Sequence, residues 1–121
     1  MGKIRVGVFG MGRGIDIAEN LSLLDDCEIV SFCEWDKDRA QNGLERFGKD
    51  VPVFEDFDTF LEQSLDAVVL ANYFHEHAPY AIKCFEKNIH VFCECISNGT
   101  MAEGVELLRA FEKSKSIYML A

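Results

Sequence analysis

Phe9-Gly10-Met11-Gly12-Arg13-Gly14-Ile15 is the stretch that decides how this chain folds. Before it, Lys3 to Phe9 (KIRVGVF) is rich in β-branched residues and reads as a strand. After it, Ile15, Ala18, Leu21 and Leu24 recur near helical spacing, which predicts a helix from about Arg13 to Leu24. Glycines between a strand and a helix make a tight turn, admit a pyrophosphate close to the backbone and let helix pack on strand. The positive end of the helix then faces the phosphates. The spacing departs from the usual G-x-G-x-x-G. Its third small residue would fall at Ile15, and the glycine comes one position early, at Gly14.

Outward from this turn, short apolar runs alternate with amphipathic stretches. Glu28 to Cys33 reads as a second strand, and Asp36 to Phe47 as a polar helix with Ala40, Leu44 and Phe47 inward and Gly48 as its cap. A short strand near Val51 to Phe54 and a short helix from about Asp58 to Gln63 follow. Asp66 to Ala71 (DAVVLA) is a continuous apolar run, as a parallel strand covered on both faces should be. His75 to Lys87 reads as a helix and Ile89 to Cys93 as a strand. Thr100 with Glu103 forms a capping box that opens a helix to about Lys113, and Ile117 to Leu120 is a last strand. Strands alternating with helices predict an α/β fold: a doubly wound parallel sheet in three αβα layers. The strand order 3-2-1-4-5-6 rests on the glycine motif rather than on periodicity.

Glu34 ends the second strand, twenty residues past Gly14. A carboxylate there accepts hydrogen bonds from the two ribose hydroxyls of an adenosine and repels a 2′-phosphate, which favours NAD over NADP. Trp35 follows it, placed to lie against an adenine. The plain alternative is a tight turn beside a solvated strand end. It requires the strand, the glycines and the acidic residue to coincide by accident.

Length and composition bound the rest. The chain has 121 residues, the size of one domain. Residues 1–121 are expected to be a single dinucleotide-binding domain. Lys and Arg number 12 against 21 Asp and Glu, so the net charge of −9 argues against binding the backbone of nucleic acid or an anionic membrane. No apolar run approaches the ~20 residues of a spanning helix. Lys3 and Arg5 interrupt any signal-peptide pattern, and Val6 stands where a myristoylation signal at Gly2 wants Ser or Thr. Five irregularly placed cysteines read as the reduced thiols of a cytoplasmic protein.

The chain resembles the N-terminal domain of the Gfo/Idh/MocA oxidoreductases, the glucose–fructose oxidoreductase and inositol dehydrogenase family. The resemblance runs its whole length: the glycine loop, Glu34, Asp66 to Ala71, His75-Glu-His77-Ala-Pro-Tyr-Ala-Ile82 and Asn88-Ile-His-Val-Phe-Cys-Glu94. It implies a Rossmann domain and NAD(P)-dependent oxidation or reduction of a sugar, cyclitol or related hydroxyl compound. It also implies a C-terminal substrate domain that this chain lacks, homo-oligomers formed largely through that domain, and no turnover by this chain alone. The cofactor-binding residues so implied are Gly10, Met11, Gly12, Arg13, Gly14, Ile15, Glu34, Trp35, Ala71, Asn72, Tyr73, His77, Glu94 and Cys95.

Two departures from the family pattern stand out. Asn72-Tyr73-Phe74 replaces T-P-N, and Cys95-Ile96 replaces the lysine and proline that follow the family's glutamate, here Glu94. In family members that lysine binds substrate and aids proton transfer. A thiol supplies no fixed ammonium, so a non-catalytic NAD-binding or regulatory protein of the same fold is the alternative reading. The chain ends inside an apolar strand, which reads as a piece cut from a longer one.

Other constellations are read structurally. His75-x-His77 with Cys93-x-Cys95 carries zinc-ligand chemistry, but two histidines two apart on a helix point to different faces, so no metal is expected. Cys95 near a nicotinamide would be a candidate redox thiol only in an electropositive setting, and none is apparent. Cys27, Cys33 and Cys84 are expected in or near the core, as are Phe47, Phe54, Phe57, Phe60 and Phe111. A phosphoacceptor receiver domain of similar size needs acidic residues at the end of its first strand, where this chain has glycines.

Overall fold

The computed structural model describes residues 2–72 and 76–121. Among the described residues six strands alternate with five helices: β1 (Ile4–Phe9), α1 (Arg13–Leu21), β2 (Cys27–Cys33), α2 (Lys37–Phe47), β3 (Val53–Phe54), α3 (Phe57–Leu61), β4 (Ala67–Leu70), α4 (His77–Glu86), β5 (His90–Cys93), α5 (Met101–Lys113) and β6 (Tyr118–Leu120). All neighbouring strands pair in parallel, in the order β3-β2-β1-β4-β5-β6. The order reverses at β1, so the C-terminal ends of β1 and β4 part there and open a crevice.

Side-chain alternation along the strands divides the core into two layers. Val6, Val8 and Val69 face α1 and α2, where Ile15, Ala18 and the half-buried Leu44 and Phe47 meet them. Val68, Leu70, Val91 and Cys93 face the opposite side, against Phe57, Phe60, Ala81, Phe85 and Leu107. Phe57 and Phe60 are buried, while Phe47, Phe54 and Phe111 pack half-buried at the core's margin. No described helix is long and apolar enough to cross a membrane.

Element ends follow local chemistry. Asp36 caps α2 by accepting the Arg39 N–H at 3.0 Å, and Gly48 closes that helix in the left-handed region at φ 77°. The Thr100–Glu103 capping box forms as the sequence predicts. Several ends differ from expectation by one to three residues, among them α3, which ends at Leu61 rather than Gln63, and two show why. The first helix stops at Leu21, where the Leu23 and Leu24 amides turn back to the carbonyls of Asn20 and Leu21. Leu24 keeps the helical spacing but is 52% exposed, so no burial rewards a further turn. The third strand begins only at Val53. The Pro52 carbonyl accepts the Phe32 N–H at 2.9 Å, but Pro52 has no N–H of its own to extend the ladder.

Candidate cofactor site

The crevice is assembled by three strand ends. The Gly10 N–H donates to the Cys33 carbonyl at 2.9 Å, and the Ala71 N–H donates to the Phe9 carbonyl at 2.8 Å. Gly10 holds φ 98°, and a Cβ there would lie 2.5 Å from the Ala71 carbonyl oxygen. Only glycine lets the chain turn this tightly against β4. Gly14 lies where a Cβ would come within 2.7 Å of Val8, so α1 is pressed onto β1. Gly12, the N-cap of α1, faces open space: a Cβ there would meet only Arg39 Cδ, at 3.9 Å. No side chain caps this helix; the Ile15 N–H turns back to the Gly12 carbonyl at 3.2 Å, and the helix start is open to a ligand.

Glu34 is 3% exposed and reaches into this turn. Its Oε1 accepts the Met11 N–H at 2.9 Å, and its Oε2 accepts the Asp36 N–H at 3.2 Å. Arg39 Nη1 stands 3.4 Å from Oε2. These groups border a cleft of ≈180 Å³ lined by Phe9, Gly10, Gly12, Glu34, Trp35, Arg39, Ala71, Asn72, Glu76 and Tyr80. Trp35 is exposed on its rim. Both amide atoms of the Asn72 side chain are buried without a hydrogen-bond partner. Unmet groups of that kind cost on the order of 1–3 kcal/mol each, and a polar ligand would relieve the cost.

Not every implied residue lies in the cleft. The Met11 and Ile15 side chains are buried in the core, and only the Met11 amide is turned toward Glu34. His77 is 1% exposed and works as a strut. Its Nε2 lies 3.1 Å from the Asn72 carbonyl, and its Nδ1 lies 2.9 Å from the Ile96 carbonyl and 3.1 Å from Cys93 Sγ. It therefore ties together the chain following β4 and the chain following β5. Arg13 reaches from the glycine turn to Glu94, Nε to Oε1 at 3.3 Å. Cys95 is exposed, and its N–H donates to the Ala121 carbonyl at 3.0 Å. Tyr73 and His75 lie outside the described residues. Among the described residues, no three His, Cys, Asp or Glu side chains gather as a metal site.

Arg39, Glu76, Tyr80 and Phe9 line the cleft but are not among the cofactor-binding residues that the family resemblance implies. Arg39 had a usable signal. It is the third residue after the Asp36 cap, on the turn of α2 nearest the end of β2.

The thiols separate cleanly. Burial pushes Cys33 and Cys84 up to about 12, with the Glu34 charge adding to the effect at Cys33, and burial pushes Cys93 up to about 11. Cys95 is exposed and Cys27 half-buried. A thiol reagent at pH 8 is expected to modify Cys95 first, with Cys33, Cys84 and Cys93 reacting only on unfolding. Mass spectrometry of the timed reaction checks this order.

A strand, a glycine turn at the sheet's switch point, an open helix N-terminus and an acidic strand end together fit a dinucleotide. They place the chain in the class of Rossmann-fold nucleotide-binding domains. It belongs to the Gfo/Idh/MocA oxidoreductase family, whose NAD-binding Rossmann-fold model matches residues 4–121. It is 30% identical to a glycosyl hydrolase family 109 protein of Stenotrophomonas maltophilia over 98% of this chain and 29% of that protein. It is also 30% identical to a myo-inositol 2-dehydrogenase of Thermotoga maritima, over 75% of this chain and 28% of that one. A myo-inositol dehydrogenase of Lactobacillus casei, solved in complex with NAD(H) and myo-inositol, superposes with a TM-score of 0.89 at 22% identity. That superposition covers 98% of this chain and 36% of the other. The chain thus spans about a third of the length of the proteins it matches.

Proposed function

We propose that this chain is the cofactor-binding part of an oxidoreductase, that it prefers NAD to NADP, and that a further domain presents a sugar, cyclitol or related hydroxyl compound to it. The observation that carries the reading is Glu34 beside the glycine turn, buried at the crevice where β1 and β4 part. When bound, NAD would supply a hydride acceptor for oxidation of a substrate hydroxyl compound.

The chain's own residues bind and orient. The Gly10–Gly14 turn admits the pyrophosphate, with the uncapped start of α1 behind it. Glu34 accepts from the adenosine ribose. Asn72 offers a donor and an acceptor from the β4 end, and Glu94 and Cys95 border the nicotinamide side. His77 holds the flanking segments rather than touching the cofactor. With Cys95 in the lysine's place, proton transfer falls to a residue outside this chain, or the protein binds NAD without catalysis. The five free thiols agree with a cytoplasmic setting, and homo-oligomers would form outside this domain.

Calorimetric titration of the folded chain tests the reading. NAD is expected to bind with a dissociation constant in the micromolar to low millimolar range, and more tightly than NADP. No detectable heat at millimolar NAD would defeat it.

A further inference from the structure

We infer that the Arg13–Glu94 ion pair is a latch across the nicotinamide half of the site, and that the pyrophosphate of an incoming dinucleotide opens it by taking the guanidinium. The inference rests on the NAD-binding reading above and adds to it a competition, within the free protein, that sets the affinity.

The latch follows from where its two ends stand. Arg13 is the first residue of α1, at the glycine turn that follows β1. Glu94 is the residue after β5, and its N–H donates to the Leu70 carbonyl of β4 at 3.0 Å. In the sheet, β4 lies between β1 and β5. The two side chains meet with Nε and Oε1 3.3 Å apart, so the bridge passes over the C-terminal end of β4. A dinucleotide with its phosphates at the start of α1 runs its nicotinamide half over that same strand end. The bridge lies across its path.

Two anions then compete for one guanidinium. The pair with Glu94 is weak, because the Arg13 side chain is 67% exposed and the Glu94 side chain 23%, and water screens their attraction. A pyrophosphate carries more charge than a carboxylate and is held at the start of α1, beside the backbone of Arg13 itself. It also presents oxygens that an arginine binds through two N–H groups at once. The guanidinium therefore leaves Glu94 for the phosphates. Its departure clears the end of β4 and releases the Glu94 carboxylate on the nicotinamide side. Adenosine diphosphate carries the pyrophosphate without the nicotinamide half, so it senses the competition for Arg13 without reaching Glu94.

Calorimetric titrations of adenosine diphosphate and NAD into the chain, Arg13→Met, Glu94→Gln and the double variant, at one low ionic strength, test this. Arg13→Met is expected to weaken both ligands at least ~10-fold, since both carry the pyrophosphate. Glu94→Gln keeps the side chain's size and removes its charge. It is expected to tighten adenosine diphosphate ~2–5-fold, the range that releasing an exposed ion pair allows. In the Arg13→Met background the same change should alter that affinity less than ~1.5-fold. Thermal unfolding reports whether each variant is folded, and Glu94→Asp, one carbon shorter in its reach toward Arg13, decides the matter if Glu94→Gln is not. An affinity that Glu94→Gln leaves unchanged or weakens overturns the inference. So does an equal gain with and without Arg13, which is the mark of general repulsion, and so does an Arg13→Met chain that binds adenosine diphosphate as the parent does. A chain that binds NAD and takes no adenosine diphosphate at millimolar concentration overturns it too. In each of these cases NAD binding stands. A chain that binds neither nucleotide overturns the parent reading and this one with it.

Discussion

Gly12→Val is expected to abolish dinucleotide binding at a modest cost to the fold. A Cβ at Gly12 meets no atom closer than Arg39 Cδ at 3.9 Å, but the backbone there, at φ −84° and ψ −94°, lies outside the usual helical and extended regions. The cost to stability is therefore that of local backbone strain and a poor N-cap, about 1–3 kcal/mol. The effect on a ligand is of another kind. The valine methyls would fill the space above the first turn of α1, the approach a pyrophosphate needs to reach the helix amides. Affinity for NAD should fall more than ~100-fold, equivalent to about 2.7 kcal/mol or more. Thermal unfolding and calorimetry on the same sample separate the two effects. A variant that melts within a few degrees of the parent and still binds NAD within tenfold would show that the phosphates do not cross Gly12.

The residues that make this prediction possible were largely legible before any coordinates. The glycine turn, the acidic end of the second strand and the alternation of strands with helices each have a chemical reason confined to neighbouring residues. The sheet order followed because only one place in such a sheet uses that turn. Facing was harder to read. Met11 and Ile15 belong to the glycine motif by position, but their side chains serve the core. His77 matches a family histidine, but it binds two carbonyls and a thiol from segments far apart in sequence, a relation no local pattern encodes. Arg39 looks like one more solvated arginine on a polar helix. Its meaning comes from the Asp36 cap, which directs the first turn of α2 back toward Glu34. Gly7 has no reason of its own in the strand pattern, and in the fold a Cβ there would sit 2.5 Å from the ring of Phe60. What escaped the sequence was in each case a contact between elements rather than the identity of an element.

Gly10→Val should have the largest effect on stability of any single change at the site, because it combines two costs that other glycines carry singly. Gly10 sits at φ 98°, where a β-branched residue is strained, and a Cβ would stand 2.5 Å from the Ala71 carbonyl oxygen and 2.8 Å from the Asn72 nitrogen. Both opposing atoms are backbone of the β4 end, which hydrogen bonds to β1 through Ala71 and Phe9 at 2.8 Å, so neither can step aside cheaply. Gly48 isolates the first cost: its φ is 77° and nothing lies within 4 Å, so Gly48→Ala should lose about 1–2 kcal/mol from backbone strain alone. Gly14 isolates the second: it lies inside α1, and a Cβ would press on Val8 Cγ1 at 2.7 Å, an overpacking cost of about 1–3 kcal/mol for Gly14→Ala. If the two costs combine at Gly10, Gly10→Val loses about 2–5 kcal/mol, a large share of the roughly 5–15 kcal/mol that holds a domain folded. Its melting temperature should then fall by roughly 6–20 °C. Urea unfolding of the three variants beside the parent measures each term. A Gly10→Val chain no less stable than Gly48→Ala would mean that the ends of β1 and β4 can separate freely, and a crevice with such loose walls could not hold a cofactor in one pose.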